Sequence, residues 1–392
     1  MKFKKGSYKL PAAAIVLAVA FSAILLTNAS DNGKLAELDT PAPAASPNFE
    51  FSPVYNDLFR WFSSLDRALD FPKYNFKVPD YLPESYQLER VLYSKNFSKP
   101  NDTDLIDVAS ITFAANLGME NEQRIEVIAS KGNGNLLEHN QLLGANYPQS
   151  ANETPKFRQE AVTISNVKGT LFTDKRIYKD RPETGKSFYW HDDNVQYTLN
   201  YYSEDISQEE LTKMVQSFVL PKQVQNVRYD GDGNSFPLYD EKDLLAAKNI
   251  LGFKVKIPFE FPELHLSYSI LLKAGDQNTS YAFRQATDAL WTQYNAPHDS
   301  SIYDVSDYFS LYQSKEPLFD ASKLSFKRKL EIHGVEISAY EDQDHVYFSL
   351  GKRAKLPIYL WKQDDIYYTA IFSGMDKYQE DNLKAIIAAP VQ

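Results

Sequence analysis

Phe188-Tyr189-Trp190-His191-Asp192-Asp193-Asn194-Val195-Gln196-Tyr197-Thr198-Leu199-Asn200-Tyr201 returns without a gap as Tyr359-Leu360-Trp361-Lys362-Gln363-Asp364-Asp365-Ile366-Tyr367-Tyr368-Thr369-Ala370-Ile371-Phe372. Val195, Tyr197, Leu199 and Tyr201 alternate onto one face, as do Ile366, Tyr368, Ala370 and Phe372, the period of a half-buried strand. An acidic turn between two aromatic runs reads as a hairpin. Helical patterns follow both hairpins. In the first, Ser207 and Glu210 form a capping-box pair ahead of Leu211, Met214, Val215 and Phe218. In the second, Leu383, Ile386 and Ile387 follow Gln379-Glu380-Asp381. The chain therefore contains a duplicated domain.

The two copies also open alike. Lys77-Val78-Pro79-Asp80-Tyr81-Leu82-Pro83-Glu84 matches Lys256-Ile257-Pro258-Phe259-Glu260-Phe261-Pro262-Glu263, and the prolines set an extended entry. Strands are expected at 86–93 and 264–272, then at 108–115, 125–129, 281–286 and 308–313. The copies converge again at Val162-Thr163-Ile164-Ser165-Asn166-Val167 and Leu330-Glu331-Ile332-His333-Gly334-Val335. About six strands and a closing helix per copy imply an α+β fold, two tandem copies of a curved antiparallel sheet with helices packed on one face.

With 392 residues, each copy is large enough to bury a core of its own. The 26 tyrosines and 24 phenylalanines favour strands. There is no cysteine, which excludes disulfides, thiol catalysis and a lipid-modified N-terminal cysteine. A formal charge of -10 speaks against nucleic acid or an anionic membrane as the main partner.

Lys2, Lys4, Lys5 and Lys9 precede an apolar run from Ala12 to Leu26. This is the order of an export signal, with a membrane anchor as the alternative, and it places the remainder outside the cytoplasm. The domains expected are a leader at 1–29, an Ala/Pro-rich linker at 30–53, a first repeat at 54–221, a linker at 222–240 and a second repeat at 241–392. Leu58, Phe59, Trp61, Phe62, Leu65 and Leu69 form a helical stripe, so a helix is expected over 56–71, with a counterpart at 244–251.

The proline-kinked entry, the strand ending at Val167 or Val335, the Trp-turn-Tyr hairpin and the Glu/Gln-rich closing helix together resemble a known family. It is the extracytoplasmic domain of unknown function widespread in Bacillus-type Gram-positive bacteria, found C-terminal in anti-sigma-factor-like membrane proteins. More distantly, the pattern is similar to the fold of the outer-membrane lipoprotein carrier and the periplasmic sigma-E regulator. The resemblance covers about 76–218 well and 253–389 less well, and its motifs are structural. It implies a sheet with helices across its concave side, and a groove able to accept an apolar ligand or peptide. Too few residues precede the apolar run for a cytoplasmic sigma-binding domain, so signalling would need a separate membrane partner.

Asp230, Asp232, Asn234 and Glu241 have the spacing of a calcium loop, but Ser235 stands where that loop needs glycine and Pro237 stiffens its middle. A polar turn is the favoured reading, and no metal, cofactor or catalytic residue is assigned. Thr184-Gly185-Lys186-Ser187 lacks the first glycine and the following helix of a phosphate loop. His139, His191, His265, His298, His333 and His345 form no paired motif. Trp190 and Trp361 read as core anchors before sugar platforms. The function expected is therefore a non-enzymatic, exported binding or sensing protein at the Gram-positive cell surface. The alternative is a regulatory partner of a membrane anti-sigma or signalling protein, with a cell-wall enzyme behind both.

Overall fold

The structure, a computed structural model, describes residues 50–55, 59–72, 74–97, 105–117, 119, 121–131, 158–178, 181–202, 205–231, 234–259, 261, 264–275, 287–295, 308–342, 356–373 and 379–392. The first repeat runs β1 (Phe59–Phe62), α1 (Leu65–Ala68), β2 (Val78–Pro79), β3 (Gln87–Phe97), β4 (Leu105–Ala115), β5 (Gln123–Lys131), β6 (Arg158–Ile164), β7 (Val167–Tyr178), β8 (Arg181–Asp192), β9 (Val195–Tyr202), α2 (Gln208–Gln216) and β10 (Phe218–Val219). The second runs β11 (Phe236–Pro237), α3 (Glu241–Leu251), β12 (His265–Leu272), β13 (Ala289–Asn295), β14 (Tyr308–Ser314), β15 (Ser325–Ile332), β16 (Val335–Asp342), β17 (Leu356–Gln363), β18 (Ile366–Ser373) and α4 (Gln379–Ala388).

Each repeat builds an eight-stranded sheet, ordered β1-β3-β4-β5-β9-β8-β7-β6 in the first and β11-β12-β13-β14-β18-β17-β16-β15 in the second. Strand for strand the two orders are the same. The fold is α+β, two tandem antiparallel sheets with few helices. Both closing hairpins turn on two residues in the left-handed region, Asp193 and Asn194 (φ 47° and 63°) and Asp364 and Asp365 (φ 51° and 62°). Asp and Asn tolerate that conformation, and the twist of such turns matches that of the strands they join. The capping box at α2 is present, with Ser207 Oγ accepting from Glu210 N at 3.2 Å and Glu210 Oε2 accepting from Ser207 N at 3.1 Å.

The helix expected over 56–71 is not formed. Its described part is the edge strand β1, paired with β3, and the single turn α1. Phe59, Trp61 and Phe62 satisfy a strand as well as a helical stripe, and the open edge of β3 decides between them. In the second repeat α3 does form, capped by Asp240 and ended by Gly252 at φ 67°. The strand expected at 281–286 lies outside the described residues, and β13 stands between β12 and β14 in its sheet.

Contacts divide the chain into Tyr55–Phe236 and a second unit that combines residues before Tyr55 with Pro237–Gln392. Two segments read as linkers are thus partly docked. Ser52 Oγ donates to Ser269 O at 3.2 Å and accepts from Ser269 N at 3.1 Å, while Phe51 packs 5.4 Å from Phe259. In the first unit, Asp80 accepts from the N–H groups of Gln225, Asn226 and Val227 at 2.8, 2.7 and 3.3 Å.

The first core holds Phe76, Phe113, Ile125, Phe188, Tyr197 and Leu199 with Leu211, Met214 and Val215 of α2, all buried. Tyr294, Phe309, Tyr368, Phe372, Leu383 and Ile386 do the same in the second. Among the described residues, the space between sheet and closing helix is core. Each large aromatic there removes roughly 150–250 Å² from water, which is what makes helix and sheet cohere.

Candidate functional site

The proline-kinked entry of the first repeat runs past the turn of its closing hairpin. Trp190, 5% exposed, stacks on Phe188 and on Tyr197, both 5.2 Å away, and meets Phe218 edge-on at 5.1 Å. Trp361 stacks on Tyr368 at 5.2 Å. Both tryptophans are therefore core anchors. The Tyr197 hydroxyl reaches the end of that core and accepts the backbone N–H of Lys77 at 2.8 Å. Burial raises its pKa, and the Lys77 hydrogen bond pulls the other way. The phenol is thus neutral and committed to the backbone.

Lys77 sends its ammonium to the hairpin turn, 2.6 Å from Asp192 Oδ2 and 3.4 Å from Asp193 Oδ2. Beside this pair lies an open cavity of about 370 Å³. Tyr74, Tyr197, Val195 and Leu220 supply its ring and aliphatic surface, and Lys77, Lys131, Asn75, Asp193 and Asn194 its polar rim. Tyr74 donates to Ala129 O at 2.7 Å, which fixes its ring as a wall.

The second repeat treats the same position differently. Lys256, the counterpart of Lys77, is 3% exposed and donates to Gln363 Oε1 at 3.0 Å and to Ile387 O at 2.8 Å. Gln313 pairs with the Lys256 backbone in both directions at 2.7 Å. Register places Gln313 opposite Tyr368 and Ala129 opposite Tyr197, so Gln313 occupies the place of Ala129. The lysine that borders a cavity in one copy is enclosed in the other.

Among the described residues, those singled out in the sequence do not assemble into a site. Asn234 turns its amide to Leu88 O and Glu89 O at 3.0 and 2.8 Å, and Asp230 pairs with Arg228 at 3.0 Å. Glu241 opens α3, and Asp232 lies outside the described residues. Among the described residues no cluster of His, Asp and Glu could hold a metal ion. Residues 184–187 lie within β8, and Ser187 Oγ donates to Asn200 Oδ1 at 2.7 Å. His333 is a turn residue at φ 51°. His191 borders a second cavity of about 280 Å³ with Lys168, Gly169, Tyr189 and Gln196. His139, His298 and His345 lie outside the described residues.

The lysine of each entry was the missed signal. Lys77 and Lys256 stand one residue before the apolar position of both Pro motifs, and a retained charge ahead of a buried strand marks a position with a partner. Among the described residues no helix is long and apolar enough to cross a membrane, and the apolar run at 12–26 lies outside them. Comparison with family models, with curated proteins and with solved structures returned no match.

Proposed function

We propose that this chain is an exported, non-catalytic binding protein in which the first repeat carries the recognition site and the second serves as scaffold. The observation that carries the reading is the asymmetry of the matched lysines. Lys256 spends its ammonium inside its own unit, whereas Lys77 stands at the mouth of a cavity with an aromatic floor. Such a concave site, with an apolar side and a polar rim of comparable extent, suits a small polar-ended ligand or a peptide segment. Binding is favoured over catalysis because Lys77 and Tyr197 are engaged with groups of the protein. Asp192 holds Lys77, and the Lys77 backbone holds the Tyr197 phenol. The lysine-rich leader and the resemblance to a Gram-positive extracytoplasmic domain support a cell-surface location.

Native mass spectrometry of residues 30–392, purified from a Gram-positive host, tests this reading. The expected result is a bound adduct that disappears when Leu220→Trp fills the cavity. A clean apo mass, or an adduct that survives Leu220→Trp, would sink it.

A further inference from the structure

The two repeats differ in the helix that precedes the residues bordering the cavity. Helix α3 has 11 residues, whereas α1 at the matching position has 4. Ser64 and Asp240, the caps of the two helices, both follow the edge strand that opens their sheet. Where α3 continues, α1 stops after one turn. The chain then reaches Tyr74 and Asn75, which border the cavity.

Two lysines mark the difference between the repeats. Since Gln313 matches Ala129, Lys315, the first residue past β14, corresponds in sequence to Lys131, the last residue of β5. In the second repeat, Lys315 Nζ lies against Gly252, at the end of α3, where a Cβ would come within 2.8 Å of it. That is the negative end of a helix, lined by carbonyl oxygens without intrahelical donors. Lys256 likewise donates to Ile387 O, in the last turn of α4. Lys256 thus meets a carbonyl oxygen at one helix C-terminus, and Lys315 lies beside another.

In the first repeat the balance is different. Lys77 is neutralised by Asp192, and Asp193, at the rim, leans on the same ammonium. Lys131 is exposed, borders the cavity, and has no ion-pair partner among the described residues. Asn75 and Asn194 stand on the same rim, and Tyr74, Val195, Tyr197 and Leu220 offer the adjoining apolar surface.

Building on the binding role proposed above, we infer that the cavity takes the C-terminal carboxylate of a short peptide. The carboxylate faces Lys131 where the second repeat has a helix terminus, and an apolar last side chain lies on the tyrosine floor. A charge-assisted hydrogen bond to one lysine corresponds to about a tenfold difference between acid and amide.

The test uses N-acetyl-alanyl-phenylalanine and its C-terminal amide as probes on residues 30–392, read by saturation-transfer NMR and calorimetry. The acid is expected to bind and the amide to bind about tenfold more weakly. Lys131→Gln should bring the acid down to the level of the amide, while Lys315→Gln leaves both unchanged. Equal binding of acid and amide, indifference to Lys131→Gln, or no binding of either probe overturns the inference. If the probes fail while a native adduct is still lost in Leu220→Trp, the cavity remains the binding site and only its carboxylate chemistry falls.

Discussion

Lys77 Nζ and Asp192 Oδ2 lie 2.6 Å apart, tying the entry of the first repeat to the turn of its closing hairpin. Both side chains are partly in water, 28% and 37% exposed, so solvent screens the pair. A double-mutant cycle of Lys77→Met and Asp192→Asn should give a coupling of roughly 0.2–1 kcal/mol in urea unfolding. The hydrogen bond that Lys77 donates to Asp192, first among the causes, raises the Lys77 pKa above 10.5. A raised lysine contributes stability that is fully present below 10.5 and is lost as pH climbs through the folded value. The coupling should therefore hold at neutral pH and fade in strong alkali. A coupling well above 2 kcal/mol would mean that the pair is effectively dry, contrary to its exposure.

Gly169 should not accept a side chain. A Cβ there would lie 2.2 Å from Tyr189 O and 2.6 Å from the Phe188 ring, which itself stacks on Trp190. Neither the β8 backbone nor the packed ring can yield cheaply. Gly169→Ala should cost about 1–3 kcal/mol, measured as a lower urea midpoint of the first unit. The matching position in the second repeat, Ile337 opposite Trp361, carries a full side chain, so the constraint belongs to this copy alone. An unchanged midpoint would show that β7 and β8 can part.

The hairpins were legible because their turns carry Asp and Asn where the backbone must turn left-handed, and because strand alternation survives in both copies. The α2 cap was legible because Ser207 and Glu210 signal each other across one turn. The edge strand β1 was not. Over four residues, Phe59 to Phe62, helix and strand periods cannot be told apart, and the outcome depends on the exposed edge of β3. The docked segments were hidden for another reason. Ser52 meets Ser269 across 217 residues, and Asp80 and Asn234 point at backbone groups, so composition alone reads them as linker. The cavity was hidden because it follows the stretch in which the two repeats differ in helix length, a difference visible only when the copies are laid side by side.

Asp80 should act as the clamp on residues 225–227. Burial, the largest single influence, raises its pKa, but the hydrogen bonds from Asn226, Gln225 and Val227 together outweigh it and bring the pKa below 3.8. A depressed carboxylate contributes stability that is present above 3.8 and lost as pH falls through the lower folded value. Asp80→Ala should therefore speed hydrogen exchange at Gln225, Asn226 and Val227 at neutral pH, with the core strand β4 unaffected. Wild type should behave like the variant only in strong acid. Protection that persists in Asp80→Ala would assign the docking to Tyr229, whose hydroxyl donates to Pro79 O at 2.7 Å.

Lys256 should make the second unit more stable in mild alkali. Its burial lowers its pKa below 10.5, with Asp364 acting in the opposite direction. Between the folded value and 10.5 the unfolded chain therefore holds more protons than the folded one, and stability rises with pH across that window. Lys256→Met keeps the aliphatic stem but removes the titration and leaves Ile387 O without its donor, a loss of roughly 1–3 kcal/mol. In urea unfolding of the full chain, followed by hydrogen exchange in α4, the wild-type advantage over Lys256→Met should widen from neutral pH toward 10.5. A constant or shrinking gap would mean that water reaches the ammonium in the native state and relieves its burial. The scaffold reading of this repeat would then lose its physical basis, because an accessible Lys256 would border a site of its own.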